Sequence, residues 1–145
     1  MFSKACEYGI KASIYIAQQS LQNKCTNLKT IAKEIDSPEA FTAKILQQLV
    51  KSNILDSIKG ARGGFLIKAI QVDQIMLEEI VYAIDGDSMY SGCGLGLKEC
   101  NVHKPCPIHD KMLIVRKELK HMLSNTNLLE LAMGIEVGVT YLSRS

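Results

Sequence analysis

The fold is decided by residues 28–50, LKTIAKEIDSPEAFTAKILQQLV. Apolar residues at helical spacing predict a short first helix around Leu28, Ile31, Ala32 and Ile35. We expect Ser37 to cap a second helix that begins at Pro38, because proline is favoured at the first helical position. Its inward face is predicted to carry Phe41, Ile45 and Leu49. Two short helices joined by a tight polar turn are typical of a helix-turn-helix, although an ordinary helical hairpin shares the pattern.

The outer face of this second helix is predicted to be polar and basic, with Thr42, Lys44, Gln47, Gln48 and Lys51. Side chains of these types exchange hydrogen bonds with phosphates and with base edges. The candidate DNA contacts on the helix are Ser37, Glu39, Thr42 and Lys44, of which we favour Thr42 and Lys44.

A β-hairpin is predicted directly after the second helix. Its strands are residues 54–58, ILDSI, and 65–67, FLI, and its turn is KGARGG at residues 59–64. Lys59 and Arg62 lie at the tip among glycines, which allow a backbone to approach a ligand closely. A phosphate-binding enzyme loop uses similar glycines, but no Lys-Ser/Thr pair of the Walker type follows. We therefore interpret the hairpin as the wing of a winged helix, with Lys59 and Arg62 as further DNA contacts.

The composition is that of one globular domain with a modest appended element: 145 residues, 47% hydrophobic and 22% charged. Residues 1–68 hold ten Lys or Arg against five Asp or Glu, a balance of +5, whereas residues 69–145 hold seven against ten, a balance of −3. A basic first half is the charge pattern expected for contact with nucleic-acid phosphates, although solvated lysine faces are common. No apolar run approaches the roughly 20 residues of a membrane span, and no signal-peptide core opens the chain. We expect a cytoplasmic protein without membrane contact.

The remaining predicted helices cover residues 3–20, a stretch that begins at Asp73, residues 108–123 and residues 126–136. Along residues 108–123, apolar residues recur at steps of four and three, at Ile108, Met112, Val115, Leu119 and Met122. A heptad-like seam of this kind needs a partner, and a second copy of the chain is the economical choice. We therefore expect a homodimer whose interface contains Ile108, Met112, Val115 and Leu119.

A glycine-rich segment before the long helix carries a cluster of possible metal ligands, namely Cys93, Cys100, Cys106 and His109. Five cysteines without a secretion signal indicate reduced thiols rather than a disulfide scaffold. The cysteine gaps of six and five residues are wider than the two to four residues typical of structural zinc. We expect an iron–sulfur cluster, 2Fe–2S or 4Fe–4S, completed by His109 or by a residue from elsewhere. Zinc, or unliganded thiols that switch by disulfide formation, are the alternatives, and Cys6 and Cys25 are interpreted as incidental.

Together these features resemble the IscR/NsrR/CymR-type family of bacterial winged-helix regulators over nearly the whole chain. The motifs that carry the resemblance are EYGIKA at 7–12, SPEAFTAKILQQL at 37–49, KGARGGF at 59–65 and CPIH at 106–109. The resemblance implies a mainly α fold with a small β-hairpin. Its parts are a winged helix-turn-helix domain at 1–84, a cluster-binding loop at 85–107, and a dimerisation helix with a C-terminal helix at 108–145. It also implies a homodimer on double-stranded DNA, with the recognition helix in the major groove and the wing at the minor groove.

The resemblance implies Cys93, Cys100 and Cys106 as cluster thiolates and offers two fourth ligands. His109 matches the IscR-like branch, and Glu7 matches a carboxylate that the nitric-oxide-sensing branch supplies from the first helix of the other subunit. We favour Glu7, because a carboxylate from the partner is easily displaced and couples sensor to DNA reader directly. The chain departs from the IscR-like pattern in a first cysteine gap that is one residue longer, and in alanines where that branch has polar base readers, Ala40 and Ala43.

The predicted function is that of a dimeric DNA-binding transcriptional regulator, such as a repressor, controlled by an iron–sulfur cluster. The signal would be nitric oxide, redox state or iron–sulfur status. The alternatives are a zinc-stabilised or thiol-switch regulator and, less favoured, a small electron-transfer protein, which would need neither recognition helix nor wing. No nucleophile–base constellation or carboxylate pair stands out, so we do not expect an enzyme.

Overall fold

Seven helices and one hairpin follow one another in the computed structural model, which describes residues 1–144. They are α1 (Lys4–Leu21), α2 (Leu28–Glu34), α3 (Glu39–Lys51), β1 (Asp56–Ile58), β2 (Gly64–Leu66), α4 (Leu77–Asp85), α5 (Ser88–Ser91), α6 (His109–Asn125) and α7 (Leu128–Glu136). The prediction of a mainly α fold with a small β-hairpin is confirmed. Ser145, the last residue of the predicted third segment, lies outside the described residues.

Helix α1 is the centre of the packing, because it contacts α2, α3, α4, β2 and α7. The largest fully buried side chains around it are aliphatic, among them Ile16, Ile31, Ile45, Leu46, Leu49 and Ile80. Each contributes about 1.5–3 kcal/mol through removal of its apolar surface from water. Gly9 allows α1 and α4 to approach closely, since a Cβ there would collide with the Ile84 side chain.

The turn between α2 and α3 is tight and polar, as predicted, but α3 begins one residue later than expected. Asp36 takes a left-handed conformation at φ 52°, which aspartate tolerates better than most residues. The residue that precedes the helix is Pro38, so the prediction that Ser37 caps α3 is wrong. Instead, the Ser37 hydroxyl shares a short hydrogen bond with the Thr42 hydroxyl, which donates to the Pro38 carbonyl at 2.7 Å.

The predicted hairpin is present, and its two strands are short and antiparallel. Ser57 lies opposite Phe65, and Ile58 lies opposite Gly64. Phe65 also exchanges backbone hydrogen bonds with Thr26, of 2.8 and 3.1 Å. The loop after α1 therefore pairs with β2 through one residue, in antiparallel orientation. Gly64 has φ 149°, and a Cβ there would collide with the Thr26 carbonyl. Glycine is therefore needed where the hairpin meets the body of the domain.

The prediction that a helix begins at Asp73 is wrong, because α4 begins at Leu77. The preceding chain contains a 3₁₀ turn, Ala69–Gln71, a further turn at residues 72–74, and an isolated bridge between Met76 and Asn127. The Leu77 N–H donates to the Thr126 carbonyl at 2.8 Å, and the Leu128 N–H donates to the Ile75 carbonyl at 3.0 Å. These long-range bonds use backbone groups that a helix would have needed. None of the helices within residues 1–144 is long and apolar enough to cross a membrane.

Candidate nucleic-acid interface and metal centre

The exposed face of α3 carries Ala40, Lys44, Gln47, Gln48 and Lys51, and Glu39 is exposed in the first turn. Lys44 and Glu39 thus lie where the sequence predicts them. Thr42 does not: it is 0% exposed, so the prediction that it lies on the outer face is wrong. Its spacing to Leu46 and Leu49, four and seven residues, places it on the buried side of the helix. Ser37 is half-buried and bonded to Thr42, so neither hydroxyl is free for DNA.

Phe41 is only partly buried, contrary to the prediction of a fully inward side chain, and it meets Tyr8 of α1. The two rings contact edge to face with their centroids 5.7 Å apart, an arrangement that aromatic pairs prefer. The Lys4 and Lys11 ammonium groups lie 5.4 and 5.0 Å from the centre of the Tyr8 ring. Lys11 also donates to the Ile35 carbonyl at 3.1 Å. Helix α1 is therefore joined to both helices of the helix-turn-helix by side chains that sequence reasoning did not single out.

The tip of the wing presents two cations to solvent, Lys59 and Arg62. Within residues 1–144 the one salt bridge joins Lys4 Nζ to Glu7 Oε2 at 3.4 Å. Lys44, Lys59 and Arg62 therefore have no carboxylate partner among the described residues. Cations without internal partners remain available to neutralise phosphates.

Cys93, Cys100, Cys106 and His109 line one small cavity of about 10 Å³, together with Met112 and Arg116. Cys100 Sγ lies 3.4 Å from Nδ1 of His109, and His109 is buried in the first turn of α6. All five cysteines of the chain are free thiols. The structure thus brings together four of the five predicted metal ligands.

The backbone after Cys93 curls around its sulfur. The Leu95 N–H donates to Cys93 Sγ at 3.4 Å, and this bond with a second from the Leu97 N–H lowers the pKa of the Cys93 thiol, against the opposing effect of burial. Contact with the Cys106 thiol also lowers this pKa. Within residues 1–144 no three Cys, His, Asp or Glu side chains converge closely enough to hold a metal ion. The donor set nevertheless fits an iron–sulfur cluster or zinc, since three thiols and an imidazole share one cavity.

Glu7 is exposed on α1, paired with Lys4, and does not line the thiol cavity. Its neighbour Cys6 is buried in the core, where burial and then the nearby Asp85 carboxylate raise the pKa of the thiol to about 12. Cys6 therefore remains protonated, in accord with its interpretation as an incidental core residue.

A hydrogen-bonded link that the sequence did not predict joins α1 to Asp85, the first residue of the cysteine segment, residues 85–107. Asp85, the last residue of α4, accepts from the Ser3 hydroxyl at 2.5 Å and from the Ser3 N–H at 3.3 Å. Ser3 also caps α1 by accepting from the Cys6 N–H at 3.0 Å. A serine before an apolar helix is a capping signal that sequence reasoning could have used, but its partner Asp85 is 82 residues away.

Three of the four residues predicted for the dimer interface on α6 contact other parts of their own chain. A Cβ on Gly94 would lie 3.0 Å from Met112 Cγ and 3.2 Å from Ile108 Cδ1, so both side chains cover the cysteine segment. Leu119 packs against the core. Of the four predicted interface residues only Val115, 52% exposed, lies on a free face. The other exposed apolar side chains of α6 are Leu113, Ile114 and Met122, of which Ile114 and Met122 lie on the same side of the helix as Val115.

The comparisons with known proteins agree on one family. The Rrf2 family, described as "Iron-dependent Transcriptional regulator", matches residues 2–134. A protein of Aquifex aeolicus named as an HTH-type transcriptional regulator is 27% identical over 133 residues, 90% of each chain. CymR, the global cysteine regulator of B. subtilis, has a similar fold, with a TM-score of 0.74 and 22% identity over 92% of this chain and 96% of CymR. IscR of T. potens gives a TM-score of 0.72 and 18% identity over 97% and 93% of the two chains.

These matches confirm the resemblance to the IscR/NsrR/CymR-type family and the winged-helix fold. They also confirm that the chain is not an enzyme, because the family consists of transcriptional regulators. The family match covers nearly the whole chain, including α3, the wing and the cysteine segment. This protein therefore belongs to the Rrf2 family of transcriptional regulators.

Proposed function

We propose that this regulator is a cytoplasmic homodimer whose binding to double-stranded DNA depends on an iron–sulfur cluster held by Cys93, Cys100 and Cys106. The observation that carries the proposal is the cavity that these thiols share with His109. Thiolates with an imidazole suit a cluster or zinc, and the description of the family as iron-dependent favours iron. When bound, such a cluster supplies reactivity toward nitric oxide and oxidants and a change of redox state.

Two residues compete as the fourth ligand, and they imply different mechanisms. His109 is supported by its burial beside the thiols and by the 3.4 Å between its Nδ1 and Cys100 Sγ. Glu7 is supported by its exposure on α1, because its salt bridge with Lys4 is a surface pair that contributes little to stability. Glu7 of the partner subunit would tie α1 of one chain to the cysteine segment of the other. His109 would keep the site within one chain.

The DNA-binding surface that we propose combines the exposed face of α3 with the tip of the wing. Lys44 and Lys51 supply charge on α3, and Gln47 and Gln48 supply amides that can pair with base edges. Lys59 and Arg62 supply phosphate contacts from the wing. We replace Thr42 and Ser37 in the predicted contact set with Gln47 and Gln48, because the latter two are exposed.

Helix α1 is suited to transmit a change from the cysteine segment to α3. Its N-terminus is bonded to Asp85, where the cysteine segment begins, and its Tyr8 ring packs against Phe41 of α3. A ligand that stabilises one conformation of the segment would bias the position of α1 through the first contact and of α3 through the second. The change in DNA affinity is limited by how much more tightly the ligand binds one conformation of the segment than the other.

The homodimer that we propose is centred on the free face of α6, around Ile114, Val115 and Met122. Lys111 and Glu118 flank this face at equal distances from its centre between Ile114 and Val115. A second copy that runs antiparallel across this centre would place Lys111 of each chain opposite a glutamate of the other. Opposite charges beside an apolar seam favour this register over a parallel one.

A thiol switch is the second candidate, favoured because Cys93 and Cys106 line the same cavity. One equivalent of hydrogen peroxide would take two electrons and two protons from these thiols, forming their disulfide and two molecules of water. This reaction needs no metal, so metal content distinguishes the two candidates.

The test of the cluster is anaerobic purification followed by visible absorbance and by assays of iron and acid-labile sulfide. We expect a coloured protein that loses colour and iron on replacement of Cys93, Cys100 or Cys106 by serine. Cys25→Ser is the matched control and should retain both. A colourless protein with bound zinc, or one without metal whose DNA binding responds to peroxide, would contradict the cluster.

A further inference from the structure

A pocket of about 460 Å³ lies between the end of α3 and helices α4 and α5. Its lining comprises Ser52, Ile54, Glu78, Glu79, Tyr82, Ala83 and Tyr90. The pocket shares no residue with the thiol cavity and none with the proposed DNA-binding surface. Its volume falls within the range of about 300–1,000 Å³ that is typical of small-molecule sites.

We propose that this pocket binds a small organic cation, a compound with an ammonium group on a short apolar body. Tyr82 and Tyr90 contribute aromatic rings, whose faces attract ammonium groups. Glu78 contributes a negative charge, and Ile54 and Ala83 contribute apolar surface for the rest of the ligand. An anion would meet two carboxylates and no basic side chain among the residues that line the pocket.

The two glutamates of the lining, Glu78 and Glu79, differ in their hydrogen-bond partners. The Glu79 carboxylate accepts from the Met76 N–H at 2.7 Å, so it caps α4. Glu78 is half-buried and has no salt-bridge partner among residues 1–144. The Glu78 carboxylate is therefore available to pair with the cation of a ligand.

Tyr90 adds a further observation, because charged groups of both signs lie near its ring. Burial and then the charge of Glu78 raise the pKa of Tyr90, so these two side chains of the lining interact. Lys120 of α6 holds its ammonium 5.8 Å from the centre of the Tyr90 ring but does not line the pocket. The ring of Tyr90 thus already attracts one cation, by the same interaction that the proposed ligand would use.

The test is calorimetric titration of the purified protein with choline and with its neutral isostere, 3,3-dimethyl-1-butanol. We expect saturable binding of choline. The isostere should bind with an affinity at least about tenfold lower, because it lacks the charge. Glu78→Gln and Tyr82→Ala should each weaken choline binding about tenfold, whereas Tyr82→Phe, which keeps the ring, should retain it. Tyr82 is 67% exposed, so its replacement leaves the core intact.

Glu99→Gln and Tyr141→Ala are the matched controls, since both residues are exposed and lie outside the pocket. They should bind choline as the parent does. Absence of saturable choline binding, equal affinity for the isostere, or equal losses in the control variants would overturn the proposal. Iron content and DNA binding are measured separately, so failure of this site is distinguishable from failure of the proposed function.

Discussion

The sharpest test of the proposed homodimer is Val115→Glu. Val115 is 52% exposed within one chain, so about half of its side chain is still available for burial by a partner. Full burial of a valine side chain is worth about 1.5–3 kcal/mol, so half-burial in each of two copies contributes about 1.5–3 kcal/mol to the dimer. The substitution removes this contribution. It also places two unpaired carboxylates in the interface, at a further cost of several kcal/mol.

These terms together raise the dissociation constant of the dimer by about a thousandfold or more. Because the side chain is half exposed within one chain, the variant should fold, with the same helical circular dichroism as the parent. Sedimentation velocity at micromolar concentration should then give a monomer. Lys117→Glu is the control, since Lys117 lies on the opposite side of α6 from Val115, and it should remain dimeric.

The register of the dimer has a separate test in a charge exchange. Lys111→Glu alone should weaken the antiparallel dimer, because it brings like charges together across the interface. The double variant Lys111→Glu/Glu118→Lys should restore it. If Val115→Glu remains a dimer, the interface lies elsewhere. If Lys111→Glu weakens the dimer and the double variant does not restore it, the antiparallel register is wrong.

Three further predictions concern the wing, the fourth ligand and α3. Arg62→Ala and Lys59→Ala should each weaken DNA binding and reduce the slope of log K against log[salt] by about one unit, and equal slopes in parent and variants would refute a phosphate role. Absorbance after anaerobic reconstitution should change in His109→Ala if the site lies within one chain, and in Glu7→Ala if a carboxylate crosses the dimer; no change in either variant would exclude both residues. Thr42→Val should lower the free energy of unfolding by about 1–3 kcal/mol, since it leaves the Ser37 hydroxyl without its partner, and should leave DNA affinity of the folded protein unchanged; a loss of affinity without a loss of stability would contradict its buried position.

Local signals were enough to predict most of the fold. Helical spacing predicted most ends of five helices to within two residues, namely those of α1, α2, α3, α6 and α7. The glycines of residues 59–64 predicted the position of the wing. The choice of Asp73 as a helix start failed for a non-local reason. Residues 75–77 pair with residues 126–128, and nothing near Asp73 in the sequence records that pairing. The four-residue helix α5 was too short for its spacing to be recognised.

The site was predicted less evenly than the fold. The cysteines and His109 were predicted as ligands from side-chain chemistry that is recognisable without a structure. They share one cavity, and their role as ligands stays a prediction. Thr42 was assigned to the exposed face because its side chain is polar. Its helical spacing to Leu46 and Leu49, which are both buried, places it on the buried face instead. The dimer interface of α6 stays a prediction. Ile108 and Met112 lie close to Gly94 in their own chain, and periodicity alone cannot distinguish such a contact from a dimer contact.

The magnitude of the contacts around α1 limits what they can do in regulation. The Ser3–Asp85 bonds and the Tyr8–Phe41 contact are each worth about 0.5–3 kcal/mol. A shift between DNA-binding states from 1:99 to 99:1 requires about 5.5 kcal/mol of differential ligand affinity. The contacts can transmit a change in the cysteine segment, but the energy must come from ligation itself. Loss of the Asp85 contact, as in Asp85→Ala, should therefore reduce the coupling between cluster and DNA while leaving intact both the cluster and the DNA affinity of the cluster-free protein.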